Sequence, residues 1–598
     1  MKHTILFVAA LALFAGCRSV PPSDFTVAVR GESPSCAIVC ATNSPVLLQA
    51  AEELRKYVWK QTGVTLPVGA DAPRRIVLSG DLAEEGVAED GFMIVPRGDE
   101  LLICGRGDCG ALYGVYELLE RFGGVGFYSS WCEKVPALDR FEVPAATRIS
   151  SSPAFAMRQP FWYDLNAHRE FAARLRVNGY NHTAGKVPAS VGGDRFRFGG
   201  GLPSCHTFYT LCDPKVYFKD HPEYFSLVKG QRLAEHAQLC LTNPDVLEIV
   251  TSNVLARIRK DPGARFYGVS QNDCYNFCEC ERCKAVDDEE ESHAGTMVRF
   301  VNAVAARVER EFPDVTIETL AYQYTRKPPK KTRLRHNVIP CLCTIECEFA
   351  RPIPESPYKE NKAFMSDIVG WAKQTDRLYL WDYVTQFSHY PQAFPNVYAL
   401  QGNVRFFRDN GVKMLFEQGD SHGNHGGFAE LKAWLLAKWM WNPEADMKAL
   451  LDEFFPGYYG KGAPFVRAYF EEIHRRQLEI SADPEKPLRI YDPANVEPYT
   501  DAAFMTWAEE QWQQAEAAVA GTEPFDYNVR MGHFSHLYAR LEAKREGRVS
   551  AELRNDPEAV ELVRRLLKDR KEGRQPIALK EWREKEGILD GWLAIAGE

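Results

Sequence analysis

The sequence predicts a (β/α)8 TIM-like barrel with a small α/β domain before it and a helical region after it. Between about Pro153 and Tyr459 short apolar runs alternate with amphipathic stretches, the pattern of parallel β/α units. Ahead of it, residues 24–147 mix strand-like runs with two helical stretches. Beyond it, residues 461–598 read as helical, with Trp507, Trp512 and Leu537 on apolar faces. With 598 residues, 45% hydrophobic and 12% aromatic, the chain has apolar material for more than one core, which excludes a disordered protein. A formal charge of -9 speaks against a nucleic-acid partner.

The elements follow in order. Met1, Lys2 and His3 precede an apolar run, Ile5 to Ala15, too short for the roughly 20 residues of a bilayer span and suited to a signal segment. It ends in Leu13-Phe14-Ala15-Gly16-Cys17, which resembles a bacterial lipoprotein signal, residues 1–17, with Cys17 as the lipidated residue. The expectation is an exported protein, anchored by its lipid in the bacterial envelope at the outer membrane, cell surface or periplasmic face. An ordinary secretory signal cut nearby is the alternative. In the small domain, Ser44-Pro45 starts a helix whose apolar face is Leu47, Ala51, Leu54 and Val58, and Gly63 ends it. Strands are expected at 75–79, 91–95 and 101–104, and a helix at 111–122 before Gly123-Gly124. The barrel, residues 153–460, shows seven strands, at 156–163, 179–183, 266–270, 316–322, 338–345, 378–383 and 413–417. An eighth, third in order, is sought in the stretch 208–228. Helices fit 169–177, 244–259, 295–312, 361–374, 397–410 and 428–441.

In such barrels the chemistry sits at the strand C-terminal ends. Here those ends carry acids beside aromatics: Asn272-Asp273, Glu346-Cys347-Glu348, Trp381-Asp382-Tyr383 and Phe416-Glu417. Cleaving a glycosidic bond needs a proton donor to the leaving oxygen and a second group that stabilises the oxocarbenium-like centre or activates a nucleophile. Asp273, Glu346, Glu348, Asp382 and Glu417 are therefore the catalytic candidates. Trp381, Tyr383, Tyr322 and Tyr324 offer flat faces to sugar rings, and His206 and Asn272 offer polar contacts. Glu346 and Glu348 share a face if their strand persists that far. A lone acid at a strand end also serves as a helix cap or loop anchor. Cys274, Cys278, Cys280 and Cys283 are spaced closely enough for a structural zinc, or for disulfides that draw in Cys240. Either way their role is structural, and neither a metal nor a cofactor is assigned to the chemistry. A P-loop lysine, a His-Glu-x-x-His pair and a Gly-x-Ser-x-Gly elbow are all missing, which lowers phosphate-binding, metalloprotease and esterase readings.

Tyr267–Cys283, Phe300-Val301-Asn302, Tyr322 before Pro328-Pro329, Trp381-Asp382-Tyr383, Leu431-Lys432, Trp441-Asn442-Pro443 and Tyr458-Tyr459-Gly460 together resemble a family of bacterial surface lipoproteins formerly known as a domain of unknown function. The resemblance spans about residues 36 to 470 and is similar to the glycoside hydrolase family of endo-β-N-acetylglucosaminidases. The leading domain resembles the one that supports the barrel in bacterial hexosaminidases and α-glucuronidases. It implies a retaining glycoside hydrolase acting on an N-acetylhexosamine-containing glycan. Asp273 would be the acid, with Asn272 and Glu346 or Glu348 positioning the acetamido group. Two alternatives stand beside it. One is an α-glucuronidase-like exo-glycosidase in which Arg158, Arg326 or Arg351 clamps a carboxylate. The other is a glycan-binding lipoprotein without chemistry.

Overall fold

The computed structural model describes residues 23–69, 72–180, 185–491, 501–545, 550–581 and 588–597. The signal segment and Cys17 lie outside the described residues.

In the leading part, a five-stranded sheet runs in the order Ala37–Cys40, Arg75–Ser79, Glu100–Gly105, Phe92–Arg97, Ile149–Ser151. The first three strands are parallel and the last two pair antiparallel. Helices Pro45–Thr62 and Asp108–Arg121 pack together beside it. The first starts where Ser44 accepts the Val46 N–H at 3.3 Å. It stops at Gly63, whose φ of 77° favours glycine, and its face of Leu47, Ala51, Leu54 and Val58 is buried.

The central sheet is wholly parallel and curls into a half-barrel of six strands. Their order is Met157–Phe161, Val412–Gln418, Leu378–Tyr383, Val338–Cys343, Thr316–Ala321, Phe266–Gly268. Two expected strands are not formed among the described residues. Gly179 and Tyr180 are irregular, and 181–184 lie outside the described residues. No third strand lies in 208–228, which instead makes the helical turns Phe208–Leu211 and Pro214–Tyr217, a 3-10 turn at Pro222–Tyr224 and the start of a two-residue hairpin. Pro214 explains part of this: Asp213 caps the Lys215 N–H at 2.8 Å and the proline presets the first helical turn. Irregular chain lies beside both edges of the sheet. The Gly179 N–H donates to Arg158 O at 3.1 Å beside one edge strand, and Phe198 bridges Phe266 beside the other. A Cβ on Gly179 would stand 2.8 Å from Gln159 Cβ, so only glycine allows that approach.

The helices between the strands form close to their expected positions, at Pro244–Lys260, Ala294–Glu309, Lys359–Ala372, Val397–Asp409 and Ala429–Trp441. The sheet is tied to the leading part by an ion pair that is almost fully buried, Arg158 Nη2 to Asp90 Oδ2 at 2.9 Å. Arg195 and Asn178 donate to the same carboxylate oxygen. Burial pushes the Asp90 carboxyl up, but the two arginines outweigh it and hold it below its usual range.

After Tyr459 the chain is helical, at Ala463–Ile480, Ala502–Val519, Phe525–Arg545, Ser550–Leu553, Pro557–Glu572 and Ile588–Ala596. Trp512 and Leu537 are buried there as expected. Two connecting segments return to the strand ends. The Phe349 N–H donates to Leu488 O at 3.0 Å and the Phe387 N–H to Ile490 O at 2.9 Å. The Tyr390 N–H meets Leu579 O at 3.0 Å, and the Glu581 N–H meets Phe387 O at 2.9 Å. Among the described residues no helix is long and apolar enough to cross a membrane.

Candidate active site

Side chains alternate across a strand, so each strand sends every second residue to the concave face of the sheet. At the C-terminal mouth these are Leu320, followed by Tyr322, then Cys343, followed by Ile345, then Trp381, Tyr383 and Gln418. With Cys205, His206, Asp273, Tyr491 and Glu581 they enclose a pocket of about 310 Å³. Trp381 and Tyr383 lie stacked at 6.1 Å and present a flat wall. The Cys205–Thr207 stretch is stitched to the fourth expected strand. Thr207 donates its N–H to Ser270 O at 3.1 Å, and its Oγ1 accepts the Ser270 N–H at 2.9 Å. His206 takes a left-handed backbone, φ 55°, and its Nδ1 donates to Gln271 O at 2.8 Å.

Asp273 sits on a tightly held loop. Gln238 donates from Nε2 to Asn272 O and Cys274 O, at 2.9 and 2.7 Å, and its Oε1 accepts the Asn272 N–H at 2.8 Å. Gln271 Nε2 donates to Tyr322 O at 3.0 Å. The Tyr322 hydroxyl accepts from Gln323 Nε2 at 3.0 Å, so its own proton goes to Asp273 Oδ1, also at 3.0 Å. Burial, with the Asp273 charge beside it, pushes the Tyr322 phenol far up, so it stays a donor. Glu581 is held as firmly. Gln418 Nε2 donates to its Oε1 at 3.0 Å and the Tyr491 hydroxyl to its Oε2 at 2.8 Å, while Trp381 Nε1 fixes Gln418 Oε1 at 2.8 Å. Two tethered carboxylates thus line one aromatic pocket. A wider groove of about 960 Å³ continues from it past the shared His206 and Asp273 toward Tyr209, Lys215 and Phe218.

Of the residues singled out from the sequence, His206, Asp273, Tyr322, Trp381 and Tyr383 come together here. Asn272 lines only the groove, with its amide engaged by Ala237 O at 2.8 Å and the Tyr209 N–H at 3.3 Å. The other four acids do not line the pocket. Their strand ends at Cys343, so Glu346 and Glu348 share no strand face. Glu346 pairs with Arg326 at 3.1 Å. Glu348 is 2% exposed, and burial pushes its carboxyl up to about 7. Asp382 and Glu417 are in register with each other and follow the opposite alternation to Trp381 and Gln418, which puts them on the far face of the sheet, fully buried. Burial raises Asp382 to about 6 and, reinforced by Asp382, lifts Glu417 much further. Tyr324 packs against Phe277 with the ring centroids 5.4 Å apart and does not line the pocket.

The three arginines considered as carboxylate clamps are engaged elsewhere. Arg158 holds Asp90, Arg326 holds Glu346, Asp367 and Glu360, and Arg351 donates to Leu478 O at 2.6 Å. The polar residues that complete the second carboxylate's setting, Gln418, Tyr491 and Glu581, were not among the candidates. Gln418 follows from counting alternation back through Phe416, whereas Tyr491 and Glu581 arrive from distant segments that bear no local mark. Beneath the floor, on the face of Leu320 and Tyr322, lies Glu318. Among the described residues neither of its oxygens has a partner, and burial pushes its carboxyl well up.

Residues 127–471 match the family model described as "Domain of unknown function (DUF4838)". The chain belongs to this family. No curated protein matches this DUF4838 member. Among solved structures it is similar to BtGH115A, a family GH115 4-O-methyl-α-glucuronidase with specificity for decorated arabinogalactans. The TM-score is 0.55 at 13% identity, over 92% of this chain and 77% of that one. It also overlaps CpGH84B, with a TM-score of 0.47 at 10% identity, over 96% and 98% of the two chains. The Streptomyces plicatus N-acetyl-β-hexosaminidase in complex with Thio-NAglucal gives 0.42 at 12% identity, over 74% and 93%. The first of these establishes that the DUF4838 chain shares its fold with a glycoside hydrolase.

Proposed function

We propose that this chain is a retaining glycoside hydrolase acting on an N-acetylhexosamine-containing glycan, in the manner of an endo-β-N-acetylglucosaminidase. The observation that supports it most is the pair of tethered carboxylates, Asp273 and Glu581, lining one aromatic pocket at the strand ends. In this reading a hexosamine ring packs on Trp381 and Tyr383. Asp273, aligned by Tyr322, protonates the glycosidic oxygen as the acetamido oxygen attacks C1. Glu581, aligned by Gln418 and Tyr491, accepts a hydrogen bond from the acetamido N–H and offsets the charge that develops there. Asp273 then takes a proton from the water that opens the cyclic intermediate, which restores the anomeric configuration. The groove beyond Asp273 has room for further sugars on the leaving side, in keeping with cleavage inside a glycan. Export and lipid attachment at Cys17 complete the proposal and rest on the signal segment alone.

The test is incubation of the purified chain with an N-glycoprotein and, in parallel, with uronate-bearing oligosaccharides, followed by product mass analysis. Release of an intact oligosaccharide from the first, lost in Asp273→Asn and Glu581→Gln, is expected. Free uronic acid from the second would replace this reading with the glucuronidase one, and tight glycan binding with no product would replace catalysis by binding.

A further inference from the structure

Four thiols that the proposed chemistry does not use converge outside the pocket. Cys240 Sγ lies 3.7 Å from Cys280 Sγ and 3.9 Å from Cys283 Sγ, and with Cys278 all four sulfurs lie within 4.8 Å of one another. Zinc–thiolate bonds of about 2.3 Å in a tetrahedron put sulfurs about 3.8 Å apart. The set differs from the run of four read from the sequence. Cys274 faces the groove, with its sulfur 3.3 Å from Gln238 Nε2, and Cys240 takes the fourth corner. Cys240, Cys278 and Cys283 are buried, and all fifteen described cysteines are free thiols.

The surroundings are those of sulfur held as an anion. The Leu227 N–H points at Cys278 Sγ from 3.4 Å, and Arg232 Nη1 stands 3.6 Å from the same atom. The Thr242 hydroxyl lies 3.2 Å from Cys283 Sγ. Four thiolates around a divalent cation leave a net charge of -2, which such donors and a guanidinium offset. We propose that Cys240, Cys278, Cys280 and Cys283 bind one zinc ion as a structural tetrathiolate site. Its effect is positional. Cys240 stands two residues after Gln238, the side chain that grips the 272–274 loop, and Cys278 stands five residues after Asp273. The ion ties together the two segments that frame the proposed acid.

The experiment is elemental analysis of the full chain purified without chelator, with thiols counted by mass spectrometry. One zinc per chain is expected, retained in Cys274→Ser and lost in Cys240→Ser and Cys283→Ser. Chelation under reducing conditions should open new protease cuts between residues 227 and 283. Should the serine variants fail to fold, cobalt uptake by the stripped native chain decides: the intense visible bands of a tetrahedral cobalt tetrathiolate support the site, and their absence overturns it. Two cystines among these thiols, iron in place of zinc, or zinc that follows Cys274 instead of Cys240 would each overturn the proposal.

Discussion

Replacing Glu348 by glutamine should change how stability depends on pH while leaving turnover nearly intact. The side chain is sealed from solvent, and burial moves its carboxyl from 4.5 to about 7. Because the folded value is raised, the unfolded chain ionises first, and the folded state loses stability as pH rises from about 4.5 to about 7. The separation of about 2.5 pH units, at about 1.4 kcal/mol each, makes that loss about 3 kcal/mol, complete above pH 7 and absent below pH 4.5. The neutral amide carries no charge to desolvate, so the Glu348→Gln variant should gain about 3 kcal/mol on wild type between pH 4.5 and pH 8. Urea unfolding followed by tryptophan fluorescence at both pH values measures it. An identical wild-type-to-variant difference at the two pH values would refute the reasoning. A collapse of kcat would return Glu348 to the catalytic machinery.

Asp273→Asn should lower kcat by roughly 10²- to 10⁴-fold with an unchanged circular dichroism spectrum, the range for loss of a general acid. Tyr322→Phe removes one hydrogen bond to a charged group, about 1.5–3 kcal/mol, so kcat should fall roughly 10- to 150-fold in the same assay. Gln418→Leu and Glu581→Gln should be strongly non-additive in a double-mutant cycle on kcat/KM, since the first acts by releasing the second; additive losses would separate them. Asp90→Ala strands Arg158 in the core and should cost about 3–5 kcal/mol in urea unfolding, with no direct effect on the pocket.

What could be read from the sequence divides along physical lines. Helices such as Pro45–Thr62 and Pro244–Lys260 were legible because caps and 3.6-residue periodicity are local. The strand ends of Asp273, Tyr322, Trp381 and Tyr383 were legible for the same reason, since a parallel barrel places its chemistry there. Face was harder. At Trp381-Asp382-Tyr383 and Phe416-Glu417-Gln418 the acid is conspicuous, yet alternation sends its neighbours to the lumen and the acid to the far side. A charge draws the eye, but burial decides its use. The third strand failed because Asp213-Pro214 and Pro222 favour short turns over extension. Tyr491 and Glu581 could not be seen at all, as their positions depend on tertiary contacts made by segments with no motif. Cys240 was named from the sequence only as a disulfide partner, because it meets Cys280 and Cys283 only through the folding of the 224–243 loop.

The return of the 576–581 segment to the strand ends sets an order of events. A chain made from its amino end has the residues of its leading sheet and curled sheet in hand while Glu581 is still to come. Folding intermediates of that kind are common in chains of this size. Until that last stretch docks on Phe387 and Tyr390, Asp273 faces a pocket that lacks its second carboxylate. On the proposed mechanism such an intermediate binds sugar poorly and cleaves it hardly at all. On the proposed function, becoming compact and becoming competent are separate events, and recovery of tryptophan fluorescence during refolding should run ahead of recovery of activity.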